Sequence, residues 1–219
     1  MVWVVRLWVA CVVGVMVFAA PSALAETNSV QIVRGHFELP AKGVASASVY
    51  AKSLPPVGYV DFCGRGETEC QFHGGKVETL SLTTENWDQI EQINRFVNTV
   101  IRPASDMELY GKADYWTYPK DAGDCEDYVL LKKRYLTELG FNADELLITV
   151  VLDEHNEGHA ILTVVTAQGD FILDNRRREI LRWDDTGYKF LKRQSQPNSN
   201  EWVSLQKSAP QVLVSTRAQ

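Results

Sequence analysis

The sequence is short of cationic charge, of histidine and of cysteine. Its 219 residues carry 22 basic and 28 acidic side chains, a formal net charge of −6. Phosphate neutralisation needs clustered Lys and Arg, so this balance argues against nucleic acid as a partner. A local basic patch is still compatible with it, and one candidate is Arg176-Arg177-Arg178. Past the N-terminal stretch, no segment is long and apolar enough to span ~30 Å of hydrocarbon. The four histidines and four cysteines never adopt the paired spacing of a zinc site. There is no phosphate-binding glycine loop, no serine-nucleophile elbow, no internal repeat and no low-complexity tract. At 45% apolar residues, disorder over the whole length is excluded. The length suits one domain, or one domain plus a small appendage, and is enough to bury a core without disulfide scaffolding.

The N-terminus reads as a targeting segment rather than part of the fold. Arg6 is the lone charge before a largely apolar run, Leu7 to Ala20, broken by Pro21-Ser22. Ala23-Leu24-Ala25 fits the small-x-small pattern of signal peptidase, so cleavage after Ala25 is expected, leaving Glu26–Gln219 as one domain. An uncleaved anchor is the alternative, but the apolar run is short for a membrane span. Export sets the redox context. Cys11 leaves with the leader, and Cys63, Cys70 and Cys125 remain. Cys63 and Cys70 share a glycine-containing loop and form the natural pair in an oxidising compartment, which leaves Cys125 as a free thiol.

Along the chain, Leu54-Pro55-Pro56-Val57-Gly58 reads as a turn or extended connection, and Val77 to Leu82 as a short strand. Thr84-Glu85-Asn86 supplies helix-start residues. Trp87, Ile90, Ile93, Phe96, Val97 and Val100 then follow at helical spacing until Pro103. Residues 104 to 123 read as irregular. A second helix is expected from about Asp124, with Tyr128, Leu131, Tyr135, Leu136 and Leu139 on one face and Gly140 as its stop. Strand patterns cover Leu146–Leu152, His159–Thr166 and Phe171–Leu173, with turns at Asn156-Glu157-Gly158 and Gln168-Gly169-Asp170. Short strands and loops follow, in which Trp183, Tyr188, Phe190 and Trp202 are available for burial. Helices followed by antiparallel strands make an α+β fold.

Cys125 sits in Gly123-Asp124-Cys125-Glu126-Asp127-Tyr128, at a predicted helix start. Free N–H groups and the helix dipole there favour a thiolate and can hold an oxyanion. An inert, buried cysteine is the plainer reading. A nucleophile needs a base and an orienting group. Of His36, His73, His155 and His159, the last opens a strand whose hairpin partner ends in Asp174, and cross-strand neighbours lie ~5 Å apart. A surface histidine and a turn aspartate remain the alternative. The other three histidines read as surface residues. Asp124, Glu126 and Asp127 would raise the thiol's pKa if left unscreened. They read either as helix capping and dipole partners or as part of a cation site, since Ca²⁺ takes six to eight oxygens. Tyr115 and Trp116 read as loop packing or as cleft wall. The Arg176–Arg178 run reads as a solvated turn or as a recogniser of acidic substrate.

Together, Asp114-Tyr115-Trp116, Gly123-Asp124-Cys125-Glu126-Asp127-Tyr128, Gly158-His159-Ala160, Gly169 to Asn175 and the Cys63–Cys70 loop resemble the bacterial transglutaminase-like cysteine proteinases, the group that includes the periplasmic LapG-type proteases. The resemblance runs from about Pro55 to Trp202. It implies a papain-like core of the transglutaminase type. In it Cys125 is the nucleophile, His159 the base and then the acid, and Asp174 the group that fixes the imidazole tautomer, with Asn175 in a support role. It also implies calcium dependence, with Asp124 and Glu126 matching the acidic positions that flank the cysteine in that family; Asp114, in the preceding loop, reads as a third ligand. The implied activity is a periplasmic endopeptidase acting on a protein substrate such as the N-terminal region of a large surface adhesin, with a membrane-anchored partner that sequesters it. The same three residues could pass the acyl group to an amine instead, as a transglutaminase or amidase, and a non-catalytic binding module is the remaining class. Amine incorporation separates the first two. N-terminal sequencing of protein recovered from the cell envelope is expected to begin at Glu26; a chain beginning at Met1 would indicate a retained anchor.

Overall fold

The computed structural model describes residues 46–70 and 79–207. Residues 1–25, expected as a leader, His36, His73 and the first two residues of the Val77–Leu82 segment lie outside the described residues. The elements, in chain order, are β1 (Ala51–Ser53), α1 (Val57–Gly64), α2 (Thr84–Val100), β2 (Arg102–Pro103), α3 (Asp106–Tyr110), β3 (Ala122–Gly123), α4 (Cys125–Glu138), β4 (Leu146–Leu152), β5 (Gly158–Thr166), β6 (Gly169–Leu173), β7 (Leu181–Arg182), β8 (Lys189–Ser195) and β9 (Asn198–Ser204). Among the described residues, seven strands form one antiparallel sheet in the order β1-β9-β8-β4-β5-β6-β7. Helices precede the main hairpins, as the α+β expectation required.

Helix α2 begins one residue after Thr83, which forms a capping box with Asn86. Thr83 Oγ1 accepts from Asn86 N–H at 3.2 Å, and Asn86 Oδ1 accepts from Thr83 N–H at 2.8 Å. Trp87, Ile90, Asn94, Val97 and Ile101 form the buried stripe. Phe96 and Val100, expected on that face, are exposed at 51% and 46%. They lie on the flank of the stripe, where Phe96 meets the Tyr135 ring of α4 at 6.1 Å. Pro103 does more than stop the helix. With Arg102 it forms β2, which runs parallel to β3. A proline fits there because an edge position needs no ladder N–H. Bonds from Arg102 N–H to the Asp121 carbonyl (2.8 Å) and from Ala104 N–H to the Gly123 carbonyl (3.0 Å) fix the chain just before α4.

Other expectations change as well. Val57 and Gly58, read as the end of a turn or extended connection, open helix α1, which also carries Cys63. Residues 79–82 form no strand of the sheet. Leu80 makes a single parallel bridge to Thr166, and Leu82 N–H donates to Gln168 Oε1 at 3.2 Å, so the segment lies as a strap beside the β5–β6 turn. The stretch 104–123 is not wholly irregular. Ser105 caps the short helix α3, and Gly111 closes it at φ 64°, a left-handed conformation that glycine adopts without strain.

Helix α4 packs against β5 and α2, and Leu130 and Leu136 are fully buried in the main core with Phe62, Trp87, Leu162, Leu173 and Trp202. Full burial of each such side chain contributes roughly 1.5–3 kcal/mol. Cys63 and Cys70 form the expected disulfide. Its loop is tied to the helix by buried Lys133, whose Nζ reaches Glu69 at 2.9 Å and Gln194 Oε1 of β8 at 3.0 Å.

The alternation of strand residues puts Ile161, Thr163, Asp170 and Ile172 on the sheet face opposite this core. There Asp170 Oδ2 accepts from Arg193 Nη1 at 2.8 Å and from Ala47 N–H at 3.0 Å, with both charged side chains buried. Removing one partner strands a buried charge. Asp170→Asn or Arg193→Met is therefore expected to cost about 3–5 kcal/mol in urea unfolding, and a cost near zero would show that the pair carries no structural weight.

Candidate active site

The site forms where the start of α4 meets the start of β5. Cys125 is the first helical residue, so its neighbouring first-turn N–H groups lack intrahelical acceptors. Its Sγ accepts from Ala160 N–H on β5 at 3.4 Å and donates to Glu126 Oε2 at 3.0 Å. Burial, followed by the charge of Glu126 and the bond to it, pushes the thiol well above its ordinary range; Ala160 N–H pulls the other way.

His159 is buried. Its Nε2 lies 2.9 Å from Asp174 Oδ1, and its Nδ1 has no hydrogen-bond partner. The register pairs Leu162 with Leu173, and one further step puts Asp174 opposite Ile161. His159 and Asp174 are thus diagonal neighbours on one sheet face, two positions off direct pairing. Arg176 N–H also donates to Asp174 Oδ1 at 2.9 Å, and the Tyr188 hydroxyl to Asp174 Oδ2 at 2.7 Å. Burial pushes Asp174 up, but the bond and charge of His159, joined by these two donors, outweigh it and hold the carboxyl at about 2. No hydrogen bond joins Cys125 to His159 among the described residues; the thiol reaches β5 at the adjacent Ala160. Asn175 Oδ1 is buried without a partner, and His155 is exposed.

The acidic residues form a cluster larger than the sequence suggests. Asp124 occupies the N-cap position, but its carboxylate does not cap α4; Oδ2 accepts from Asp106 N–H at 3.3 Å. Carboxylate oxygens of Asp106, Asp114 and Glu126 lie within 4.8 Å of one another, as do those of Asp106, Asp124 and Asp127. The expected trio of Asp114, Asp124 and Glu126 is therefore split between two sets that share Asp106. No sequence signal pointed to Asp106, which stands in a stretch without motif or periodicity. Asp127, read as a dipole partner, turns back under Gly123, where a Cβ would come within 2.5 Å of its Oδ2.

The loop residues hold this cluster in place. Asp114 accepts from Gly58 N–H at 3.0 Å and from Trp116 Nε1 at 2.8 Å, and Asp127 from Thr117 N–H at 2.9 Å. Trp116 is core packing. The Tyr115 ring carries Lys112 Nζ at 3.7 Å and Arg65 Cζ at 4.5 Å from its centroid. Arg176 pairs with Asp153 at 2.6 Å, and Arg177 lies over the Tyr188 ring.

Burial and then Asp124's charge push Glu126 up to about 9. Burial, with added charge from Asp124 and Asp106, pushes Asp127 up to about 8. Asp106 Oδ1, Asp124 Oδ1 and Asp127 Oδ2 are buried with no hydrogen-bond partner. An all-oxygen donor set with orphaned, mutually repelling carboxylates fits a hard divalent cation such as Ca²⁺.

A mixed α+β fold with a free cysteine at a helix start, packed on an antiparallel sheet carrying a His–Asp pair, is the transglutaminase-like architecture. The chain belongs to the bacterial transglutaminase-like cysteine proteinase family, whose model matches residues 49–210. Among solved structures it is similar to Legionella pneumophila LapG, with 28% identity over 49% of this chain and 62% of that one and a TM-score of 0.44. The EGTA-treated form of LapG gives the same figures. The calcium-bound form gives 23% identity over 57% of this chain and 73% of that one, at a TM-score of 0.47. The chain thus spans 62% of the length of the first of these proteins. A comparison with curated proteins finds no match.

Raised carboxyl pKa values mean that the folded chain binds protons the unfolded chain has released. Above about pH 5, where unfolded carboxyls are ionised, stability must fall as pH rises. Buried Lys132, pushed by burial down to about 7, opposes this trend only from near neutrality upward. In chelator, the melting temperature is expected to fall between about pH 5 and pH 7, and Asp127→Asn should flatten the slope. A slope unchanged by that substitution would show that the cluster does not store these protons.

Proposed function

We propose that this protein is a cysteine endopeptidase with Cys125 as nucleophile, His159 as base and Asp174 as its orienting group. The observation that carries the reading is the junction of α4 and β5. A free thiol at a helix start touches the strand residue next to a histidine whose Nε2 is committed to Asp174 and whose Nδ1 is unpartnered. Membership in a cysteine proteinase family supports it.

The thiol proton passes from Sγ to His159 Nδ1, and Sγ attacks the scissile carbonyl carbon. First-turn N–H groups of α4 stabilise the resulting oxyanion. The tetrahedral adduct collapses to a thioester as the imidazolium gives its proton to the leaving amine. Water, deprotonated by the same imidazole, then hydrolyses the thioester and restores the thiol. Asp174, held ionised, keeps the proton on Nε2 so that Nδ1 stays available.

Attack requires the thiol to leave Glu126, its present acceptor. Asp106, Asp114, Asp124, Glu126 and Asp127 would hold Ca²⁺, which supplies positive charge beside the nucleophile when bound. Export to the periplasm rests on the leader-like residues 1–25. The substrate we propose is the exported N-terminal region of a large surface adhesin, whose cleavage would govern attachment, with a membrane-anchored protein as the sequestering partner.

The test is iodoacetamide alkylation of Cys125 across pH. In calcium, the wild-type thiol is expected to react with an apparent pKa well below ~8.5. His159→Ala or chelator should raise it. An ordinary pKa indifferent to both would overturn the reading. Cys125→Ser should abolish cleavage of the adhesin segment, and incorporation of an added amine in place of hydrolysis would make the enzyme a transglutaminase.

A further inference from the structure

Tyr188 belongs to no motif, and by sequence it is one more aromatic residue available for burial. In the structure its hydroxyl takes the Asp174 oxygen that His159 leaves free, at 2.7 Å. Its ring stands edge-on to the imidazole, with centroids 5.8 Å apart and planes at 79°. Tyr188 is itself braced. Its N–H donates to Thr186 Oγ1 at 3.2 Å. The Arg177 guanidinium lies over the ring at 5.2 Å, with Nε donating to Tyr188 Oη at 3.4 Å and Nη2 to the Thr186 carbonyl at 3.3 Å.

The carboxylate therefore has both oxygens committed. Oδ1 accepts from His159 Nε2 and Arg176 N–H, and Oδ2 from Tyr188. On the main-chain side, Asn98 Nδ2 holds the Asp174 carbonyl at 2.8 Å. The terminal torsion of an aspartate is broad, so anchoring at one oxygen leaves the group free to swing. A second anchor on the opposite oxygen fixes the carboxylate plane. The edge-on ring restricts the imidazole from its side.

We propose that Tyr188 is a positioning residue, acting through Asp174 to hold His159 with its proton on Nε2 and Nδ1 presented for proton transfer. This rests on the assignment of Cys125, His159 and Asp174 above. Tyr188 touches neither substrate nor thiol in this role. Its effect falls on the tautomer and orientation of the base, and hence on kcat rather than KM.

The test is Tyr188→Phe in the full chain with calcium, since it keeps the ring, its edge contact and the face under Arg177 while removing only the hydroxyl. In wild type, ¹⁵N NMR of the His159 imidazole should show a protonated Nε2 with a downfield, slowly exchanging proton. In Tyr188→Phe that proton should be lost to exchange and both tautomers appear. The iodoacetamide alkylation rate of Cys125 at neutral pH should drop about tenfold, the loss of one hydrogen bond to a charged group. An unchanged imidazole signal with an unchanged alkylation rate would overturn the proposal. Incorporating 3-fluorotyrosine at position 188, which acidifies the phenol, gives a second, folded test: the Nε2 proton resonance should move, and a stationary resonance would also overturn it. Alkylation that is the same in His159→Ala as in wild type would instead sink the catalytic assignment, while the imidazole signal judges Tyr188 independently.

Discussion

The contact between the first turn of α4 and the first residues of β5 is the constraint on which the site depends. Ala160 N–H reaching Cys125 Sγ joins a helix start to a strand start, and each end is fixed separately. On the helix side, the short parallel pairing of Arg102–Pro103 with Ala122–Gly123 sets the direction of entry. On the strand side, the β4–β5 and β5–β6 ladders set the height of His159 and, two positions off pairing, of Asp174. Local geometry at the thiol is thus held by elements that are distant in sequence.

The same junction concentrates negative charge. Asp106, Asp114, Asp124, Glu126 and Asp127 crowd around a helix start, where the dipole favours anions but burial does not. Backbone N–H groups from Gly58, Tyr115 and Thr117 satisfy part of the cluster. The orphaned oxygens and raised proton affinities show that protein donors alone leave it incompletely matched. Glu126 accepts a hydrogen bond from the Cys125 thiol, and the nucleophile we assign is turned toward a carboxyl group rather than toward the imidazole. The electrostatics at the His–Asp pair have the opposite sense: three donors converge on Asp174 and keep it ionised despite burial. Two carboxylate environments, one starved of partners and one saturated, flank a single cysteine.

Much of this was legible in the sequence. Helical periodicity marked α2 and α4, and apolar β-branched runs between turn residues marked β4, β5 and β6. Two cysteines in one short loop, with a third left over, anticipated the Cys63–Cys70 disulfide and the free Cys125. Where reading failed, the cause was non-local. The Val77–Leu82 pattern had apolar residues for a strand, but the residues described there find only one bridge. Phe96 and Val100 fit a helical stripe, but they fall on its flank, where Phe96 meets only the rim of α4 at Tyr135 and both stay exposed. Asp106 and Tyr188 carry no local signature at all, because their partners lie on other segments.

The sequence by itself determined the fold class, the chemistry-bearing residue types and their order along the chain, since these follow from composition, periodicity and motif spacing. Tertiary structure alone decided which carboxylates cluster, that the thiol hydrogen-bonds Glu126, and that Asp174 is anchored at both oxygens. Those outcomes turn on distances of about 3 Å between residues far apart in the chain, and hydrogen bonding and charge coupling at that range depend on the packed register of the strands and on the angle at which α4 enters.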